Sequence, residues 1–246
     1  MKPRSPRDRL IVALDVRSLN EALGMVSTLK GQVNFFKVGL GLFSRVGPEG
    51  FRKLKEGGAR LFLDLKFHDI PAVVREAAAG AASLGADLIT VHASGGADMM
   101  AAAAEGVRSY GQEYGVSPPA VLGVTVLTSL DKSDLEAALG YTGEVDERVK
   151  TLALLAQRAG LDGLVASARE ASMLREAVGP GFLIITPGIR PAEEGLGDQK
   201  RVTTPAEAIR GGSDYLVVGR PVTRAEDPAA AAEAIIDEIK TALTPG

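Results

Sequence analysis

The stretch LDLKFHDIPA, residues 63–72, places a lysine between two aspartates at the end of an apolar run. Residues two apart share one face of an extended strand, so the side chains of Asp64 and Lys66 are expected to point the same way. Pro71 ends the strand soon after Asp69. Burying such charges is costly unless they are paired. We therefore expect a charged cluster at the carboxyl end of a strand, where (β/α)8 barrel enzymes carry their catalytic residues.

Apolar runs like this one recur along the chain, separated by segments rich in alanine, leucine and glutamate. This alternation of strand and helix patterns is typical of a parallel sheet. Eight repeats in 246 residues predict an α/β fold of the (β/α)8 TIM barrel type, with residues 1–246 forming a single domain. The predicted strands are residues 10–15, 35–39, 60–65, 88–92, 120–127, 163–166, 183–186 and 215–218. The predicted helices are residues 18–30, 48–56, 72–84, 98–110, 144–159, 168–178, 204–209 and 228–243.

A doubly wound open sheet is the competing fold. Such sheets usually carry a glycine-rich dinucleotide-binding turn after the first strand. The first strand here runs into ALDVRS, residues 13–18, which contains no glycine. The barrel is therefore favoured.

One connection, residues 187–203, is longer than the others and contains two prolines and three glycines. It lies between the seventh strand and the helix that follows. Loops of this length in compact domains are commonly functional, so we interpret it as an active-site lid at the rim of the barrel.

Composition excludes several classes of function. The chain has no cysteine, so disulfides, thiolate catalysis and cysteine-based metal sites are ruled out. Its net charge is −3 and only 4% of its residues are aromatic, so we expect no nucleic-acid partner. The first apolar run is too short for a signal sequence or a membrane span. We therefore expect a cytoplasmic protein that does not contact a membrane.

A barrel brings the carboxyl ends of its strands together at one mouth. The cations and carboxylates gathered there suit an anionic substrate that bears hydroxyl groups. Gly219 and Arg220 follow the last strand, where barrels commonly bind phosphate through backbone amides, and an arginine adds a charge-assisted contact. The residues expected at this mouth are Asp15, Lys37, Asp64, Lys66, Asp69, His92, Thr128, Ser129, Arg190, Gln199, Gly219 and Arg220.

Simpler interpretations stay open for several of these residues. Asp64 and Lys66 could form a surface ion pair, and Arg220 could be a solvated arginine after a turn. His68 and His92 are better explained as structural histidines than as catalytic ones. Two histidines and no cysteine disfavour a metal site, although carboxylates holding magnesium stay possible.

The chain resembles the orotidine 5′-phosphate decarboxylase family. The string DLKFHDIP, residues 64–71, is the most specific element of this resemblance, and weaker elements follow the order in which the family carries them. The weaker elements are residues 13–15 (ALD), 36–39 (FKVG), 90–93 (TVHA), 127–129 (LTS), 186–191 (TPGIRP) and 218–221 (VGRP).

The resemblance implies decarboxylation of orotidine 5′-phosphate to uridine 5′-phosphate, the last step of de novo UMP synthesis, without cofactor or metal. It implies that Lys66 protonates the pyrimidine carbon that loses carbon dioxide, while Asp64 lies beside the substrate carboxylate. Asp69 is expected to reach into the active site of a second subunit, so that a homodimer has shared sites.

The resemblance also assigns substrate-binding residues. It implies that Asp15 and Lys37 hold ribose hydroxyls and that Thr128 lies near the pyrimidine and the ribose. Three groups are expected on the phosphate: Arg220, Gln199 and the Gly219 amide. Arg190 is expected to belong to the closing loop.

The chain departs from the family pattern at Val73, where a threonine is usual, and valine has no hydroxyl to form the hydrogen bond expected there. The nearest alternative function is a magnesium-dependent decarboxylase of a 3-keto sugar phosphate, which shares the Asp-x-Lys-x-x-Asp spacing but lacks the Ile-Pro continuation and the long lid. A sugar-phosphate epimerase would need histidine ligands that the second strand does not supply. A non-catalytic nucleotide-binding barrel is disfavoured by the intact Lys66.

Overall fold

The computed structural model describes residues 2–190 and 203–244, whose strands close into a parallel barrel in the order β1 to β8. This confirms the predicted (β/α)8 fold. Strand ends differ from the predicted ones by up to three residues. The strands are β1 (Leu10–Ala13), β2 (Phe35–Gly39), β3 (Arg60–Phe67), β4 (Leu88–His92), β5 (Ala120–Val124), β6 (Gly163–Val165), β7 (Leu183–Pro187) and β8 (Tyr215–Val218).

Helices connect the strands and cover the outside of the barrel. The eight predicted helices are all present, and the structure adds two that the sequence patterns did not predict, α5 and α9. The helices are α1 (Leu19–Thr28), α2 (Leu40–Glu56), α3 (Pro71–Ser83), α4 (Ala97–Tyr114), α5 (Lys132–Leu139), α6 (Val145–Arg158), α7 (Ala171–Val178), α8 (Pro205–Arg210), α9 (Arg220–Thr223) and α10 (Pro228–Leu243).

Local capping explains the largest differences from the predicted helices. Helix α5 begins at a capping box in which the Asp131 side chain accepts from the Asp134 amide, and it ends at Gly140 in the left-handed conformation. Helix α2 extends to both sides of a kink at Gly47, which has φ 61° and precedes Pro48. The predicted start at residue 48 therefore marks the second half of α2, and the first half was missed.

Two apolar layers hold the fold together. The larger one lies between the barrel and its helices. The smaller one fills the barrel interior, where Phe35 and Tyr215 meet edge to face with their ring centroids 5.8 Å apart. Arg60 stacks over the Phe35 ring at 4.2 Å. Large rings thus fill the interior of the barrel, as expected of a packed eight-stranded barrel.

Strand β3 is irregular where it carries the charged cluster. Its register against β4 changes between Leu63, opposite Ile89, and Phe67, opposite Val91. Lys66 has φ 54°, which makes it the one non-glycine residue with positive φ in the described part of the chain. The regular extended strand expected at residues 64–66 is therefore replaced by a bulge.

In the described ranges, no helix is both long and apolar enough to cross a membrane.

Candidate active site

A cavity of about 530 Å³ opens at the carboxyl ends of the strands. Its walls come from β1, β2 and β3 on one side and from the segments that follow β5, β7 and β8 on the other. Most of the predicted site residues meet here. The predicted residues that line the cavity are Asp15, Lys37, Asp64, Lys66, Thr128, Ser129, Arg190, Gly219 and Arg220.

Four of these side chains form a line of alternating charge. The Lys37 ammonium lies 3.5 Å from Asp15 Oδ1 and 3.7 Å from Asp64 Oδ2. The Lys66 ammonium lies 2.9 Å from both carboxylate oxygens of Asp64. The side chains of Lys37 and Asp64 are only 13% and 12% exposed, so solvent screens this pair weakly. The Asp64 and Lys66 side chains meet as predicted, but they do so through the bulge in β3 and not on the regular extended strand that the prediction assumed.

Asp64 is held in its charged form. Burial on its own would raise the pKa of this carboxyl, but the charges of Lys37 and Lys66 and hydrogen bonds from Lys66 and Thr90 outweigh it. The pKa of Asp64 is therefore below its ordinary value.

Gly39 at the end of β2 leaves room beside the charged side chains. A Cβ placed on Gly39 would lie 2.9 Å from Lys37 Nζ and 3.7 Å from Asp15 Oδ1. The missing side chain therefore leaves the space in which the Lys37 ammonium lies between two carboxylates. This explains the glycine of the FKVG element in terms of the site.

The opposite wall of the cavity is built from the ends of β7 and β8. Gly219 follows β8 with φ −107° and ψ −104°, and α9 starts at Arg220. Arg190 follows β7, and its amide donates to the Thr203 carbonyl at 3.2 Å. The lid predicted at residues 187–203 lies mostly outside the described residues, and so does Gln199.

Asp69 does not line the cavity in the single chain. It is exposed, and its carboxylate accepts a hydrogen bond from the amide of Ile70 at 2.7 Å. Two apolar side chains beside it are also exposed, Ile70 at 64% and Val73 at 47%. Asp69, Ile70 and Val73 are therefore all exposed where α3 begins.

A family model described as orotidine 5′-phosphate decarboxylase / HUMPS matches residues 8–235. The chain belongs to this family. The orotidine 5′-phosphate decarboxylase of Moorella thermoacetica is 51% identical over 234 residues, covering 95% of this chain and 93% of that protein. The protein of the same name from Syntrophotalea carbinolica is 50% identical over 240 residues, 98% of both chains. A crystal structure of orotidine 5′-phosphate decarboxylase from Lactobacillus acidophilus matches with a TM-score of 0.84 and 39% identity, covering 97% of this chain and 99% of that one.

The resemblance expected from the DLKFHDIP string is thus confirmed, and the chain is an enzyme of the orotidine 5′-phosphate decarboxylase family. The family match extends over β1 to β8 and includes every residue proposed for the site. It therefore covers both the charged line and the wall formed by Gly219 and Arg220.

Sequence reasoning missed Thr90, which is fully buried on β4. Its hydroxyl accepts from the Lys66 amide and donates to Asp64 Oδ1, both at 2.9 Å. The sequence carries this threonine in the TVHA element, but a threonine in a buried strand gives no sign of such a contact. Arg224 also lines the cavity and was not predicted.

The two histidines of the chain lie beside each other near the family site, with ring centroids 5.4 Å apart. Burial, together with the nearby charges of His68 and Lys66, holds the pKa of His92 below its ordinary value although Asp64 opposes this shift. This shift favours the neutral imidazole of His92. Neither His68 nor His92 is among the described residues that line the cavity.

Within residues 2–190 and 203–244, no group of three or more histidine, cysteine, aspartate or glutamate side chains could hold a metal ion.

Proposed function

We propose that this enzyme decarboxylates orotidine 5′-phosphate to uridine 5′-phosphate without a cofactor, as the last step of de novo UMP synthesis in the cytoplasm. The observation that carries the proposal is the Lys66 ammonium, held 2.9 Å from both Asp64 oxygens in the mouth of a barrel of this family. The names of the curated relatives support the same reaction.

The reaction needs a positive charge beside one carbon of the pyrimidine. When the bond to the carboxylate breaks, carbon dioxide leaves and the electron pair stays on the ring carbon, in the plane of the ring and without conjugation. A fixed ammonium at this carbon stabilises the developing charge. Lys66 then gives its proton to the carbon, forming the new C–H bond, and the neutral amine regains a proton from solvent.

Asp64 has two effects on this step. Its carboxylate holds the Lys66 ammonium in one orientation before the reaction, through contacts of 2.9 Å to both oxygens. It also lies where the substrate carboxylate would arrive, and two carboxylates at close range repel each other. That repulsion is relieved when carbon dioxide leaves, so Asp64 destabilises the bound substrate more than the transition state.

Residues on the opposite wall bind the phosphate in this proposal. We assign the phosphate to the Gly219 amide and to Arg220, with Gln199 and Arg190 added from the loop that closes over it. A guanidinium binds phosphate oxygens through two parallel hydrogen bonds. Because this grip is remote from the reacting carbon, its binding energy can close the loop and stabilise the transition state.

The ribose and the base lie between these two ends in the proposal. Asp15 and Lys37 are assigned to the ribose hydroxyls, since a carboxylate accepts and an ammonium donates hydrogen bonds to them. Thr128 is assigned to the pyrimidine and ribose from the wall after β5. Asp15 and Lys37 thus form the proposed ribose subsite. Asp64 and Lys66 lie at the reacting end of the base, and Thr128 lies between the base and the ribose.

We also propose that the enzyme works as a homodimer with shared active sites. Asp69 is exposed beside Ile70 and Val73, and an exposed apolar face next to a charged site is typical of an interface. In this dimer we assign Asp69 to the cavity of the partner subunit, as the family resemblance implies. The valine at position 73 would then contribute apolar contact in place of a threonine hydroxyl.

The test is an assay of the purified protein on orotidine 5′-phosphate with excess EDTA. We expect full conversion to uridine 5′-phosphate at the same rate with and without the chelator. A 3-keto sugar-acid phosphate, which carries the carboxylate that the magnesium-dependent alternative would remove, serves as the competing substrate and is expected to stay intact. Loss of activity on chelation, or turnover of the keto sugar alone, would contradict the proposal and favour the magnesium-dependent alternative.

A further inference from the structure

Thr90 on β4 lies opposite the bulge in β3. Leu63 pairs with Ile89 and Phe67 pairs with Val91, so residues 64–66 on β3 face the single residue Thr90. A regular ladder cannot match three residues with one, and the extra backbone groups need other partners. Thr90 is fully buried, so water does not compete for its hydroxyl.

The hydroxyl of Thr90 takes the place of the missing ladder partner. It accepts a hydrogen bond from the backbone N–H of Lys66 at 2.9 Å. Its own proton is directed to Asp64 Oδ1, also at 2.9 Å, because an ionised carboxylate can only accept. Asp64 in turn accepts from the Lys66 ammonium. The bonds therefore form a closed ring that leaves the Lys66 backbone and returns to its side chain.

The ring of hydrogen bonds includes Lys66, the residue of the site with an unfavourable backbone conformation. Lys66 has φ 54°, a region that residues with a Cβ avoid unless their surroundings impose it. The Lys66 amide must point at Thr90 for the ring to close, and that requirement is met in the bulge. Thr90 is absent from the residues that line the cavity, so it acts through Lys66 and Asp64.

We propose that Thr90 is a positioning residue, whose hydroxyl sets the bulged backbone of Lys66 and the carboxylate of Asp64 in one geometry so that the ammonium meets the reacting carbon. This inference rests on the proposed function, because it concerns how that reaction is accelerated. It requires the hydroxyl of Thr90 and not its methyl group.

Four variants separate the hydroxyl from the methyl group. Thr90→Val keeps the shape of the side chain and removes the hydroxyl. Thr90→Ser keeps the hydroxyl and removes the methyl group, and Thr90→Ala removes both the hydroxyl and the methyl group. Thr125→Val is the matched control, because Thr125 is also buried, on the next stretch of barrel wall, and its hydroxyl bonds the Val165 carbonyl. Melting temperatures and circular dichroism check that each variant folds.

We expect Thr90→Val and Thr90→Ala to lower kcat by about 100-fold, since a displacement of about 1 Å at a reacting group costs that much. KM for orotidine 5′-phosphate is expected to change by less than about threefold, because the phosphate grip on the opposite wall is untouched. Thr90→Ser and Thr125→Val are expected to keep most of the wild-type kcat. If Thr90→Val failed to fold, the comparison of Ala with Ser would still isolate the hydroxyl.

A role in packing alone predicts the opposite order, with Thr90→Val active and Thr90→Ser impaired, and that order would overturn the inference. Equal activity of Thr90→Ala and Thr90→Ser would overturn it as well. Inactive wild-type protein would refute the proposed function instead. In that case a crystal structure of Thr90→Val still tests the ring of hydrogen bonds. If the ring sets the geometry, the φ of Lys66 is no longer positive in this variant and the Lys66 ammonium no longer contacts Asp64.

Discussion

Lys66→Ala is expected to lower kcat by about 10⁴-fold or more while the protein stays folded. The variant loses the charge that stabilises the carbanion and the proton that quenches it, and each of these effects is worth about 10² to 10⁴-fold in enzymes. Steady-state kinetics on orotidine 5′-phosphate measure the loss. Circular dichroism and the melting temperature establish that the barrel persists.

Removing Lys66 also changes the charge of the site. Asp64 keeps only the Lys37 ammonium, 3.7 Å from its Oδ2, as a positive neighbour among the ion pairs described here. The repulsion between Asp64 and the substrate carboxylate then acts without the ammonium that offsets it. We therefore expect weaker substrate binding in addition to the loss of kcat.

Lys53→Ala is the control for this experiment, because Lys53 is a half-exposed lysine on α2 that pairs with Glu49 on the helix surface. It is expected to leave kcat and KM unchanged. Wild-type activity in Lys66→Ala would show that another group protonates the product, and the account of the reaction would be wrong.

Mixing Asp69→Ala with Lys66→Ala is expected to restore activity that neither variant has alone. If each active site takes Lys66 from one subunit and Asp69 from the other, a hybrid dimer contains one site in which both are intact. Random exchange makes half of the dimers hybrids, so about a quarter of the wild-type activity should return. The measurement is the rate after mixed subunits are denatured and refolded together.

The control pairs Lys66→Ala with Asp64→Ala. These two side chains bond each other within one chain, so neither site of that hybrid is whole and no activity should return. Subunits of different mass report exchange by native mass spectrometry. Proven exchange without recovery in the Asp69 mixture would refute the shared site, and recovery in the control mixture would show that the assay does not report shared sites.

The fold and several site residues of this enzyme could be predicted from the residues at the ends of its strands. The alternation of apolar runs and helical segments indicated the barrel, and the rule that functional residues follow the strands located Lys37, Asp64 and Arg220 at one mouth. Each of these predictions depends only on the period of a strand and on where it ends. Those properties are local and can be read from residue type.

The conformation of Lys66 could not be predicted in this way. Lysine has no preference for positive φ, and its geometry is imposed by the register of β3 against β4 and by Thr90, which lies 24 residues away. The environment of Asp69 depends on whatever covers the exposed face at Ile70 and Val73. Helix α5 was missed although its capping box and terminal glycine are visible in the sequence.

The proposed reaction is tested most directly by a crystal structure of the protein with uridine 5′-phosphate. It predicts the pyrimidine carbon that lost carbon dioxide within about 4 Å of Lys66 Nζ, in reach of proton transfer. It also predicts the phosphate against Gly219 and Arg220, and the partner subunit's Asp69 at the same cavity. A nucleotide bound with its phosphate at Lys66, or with its base away from that ammonium, would contradict it.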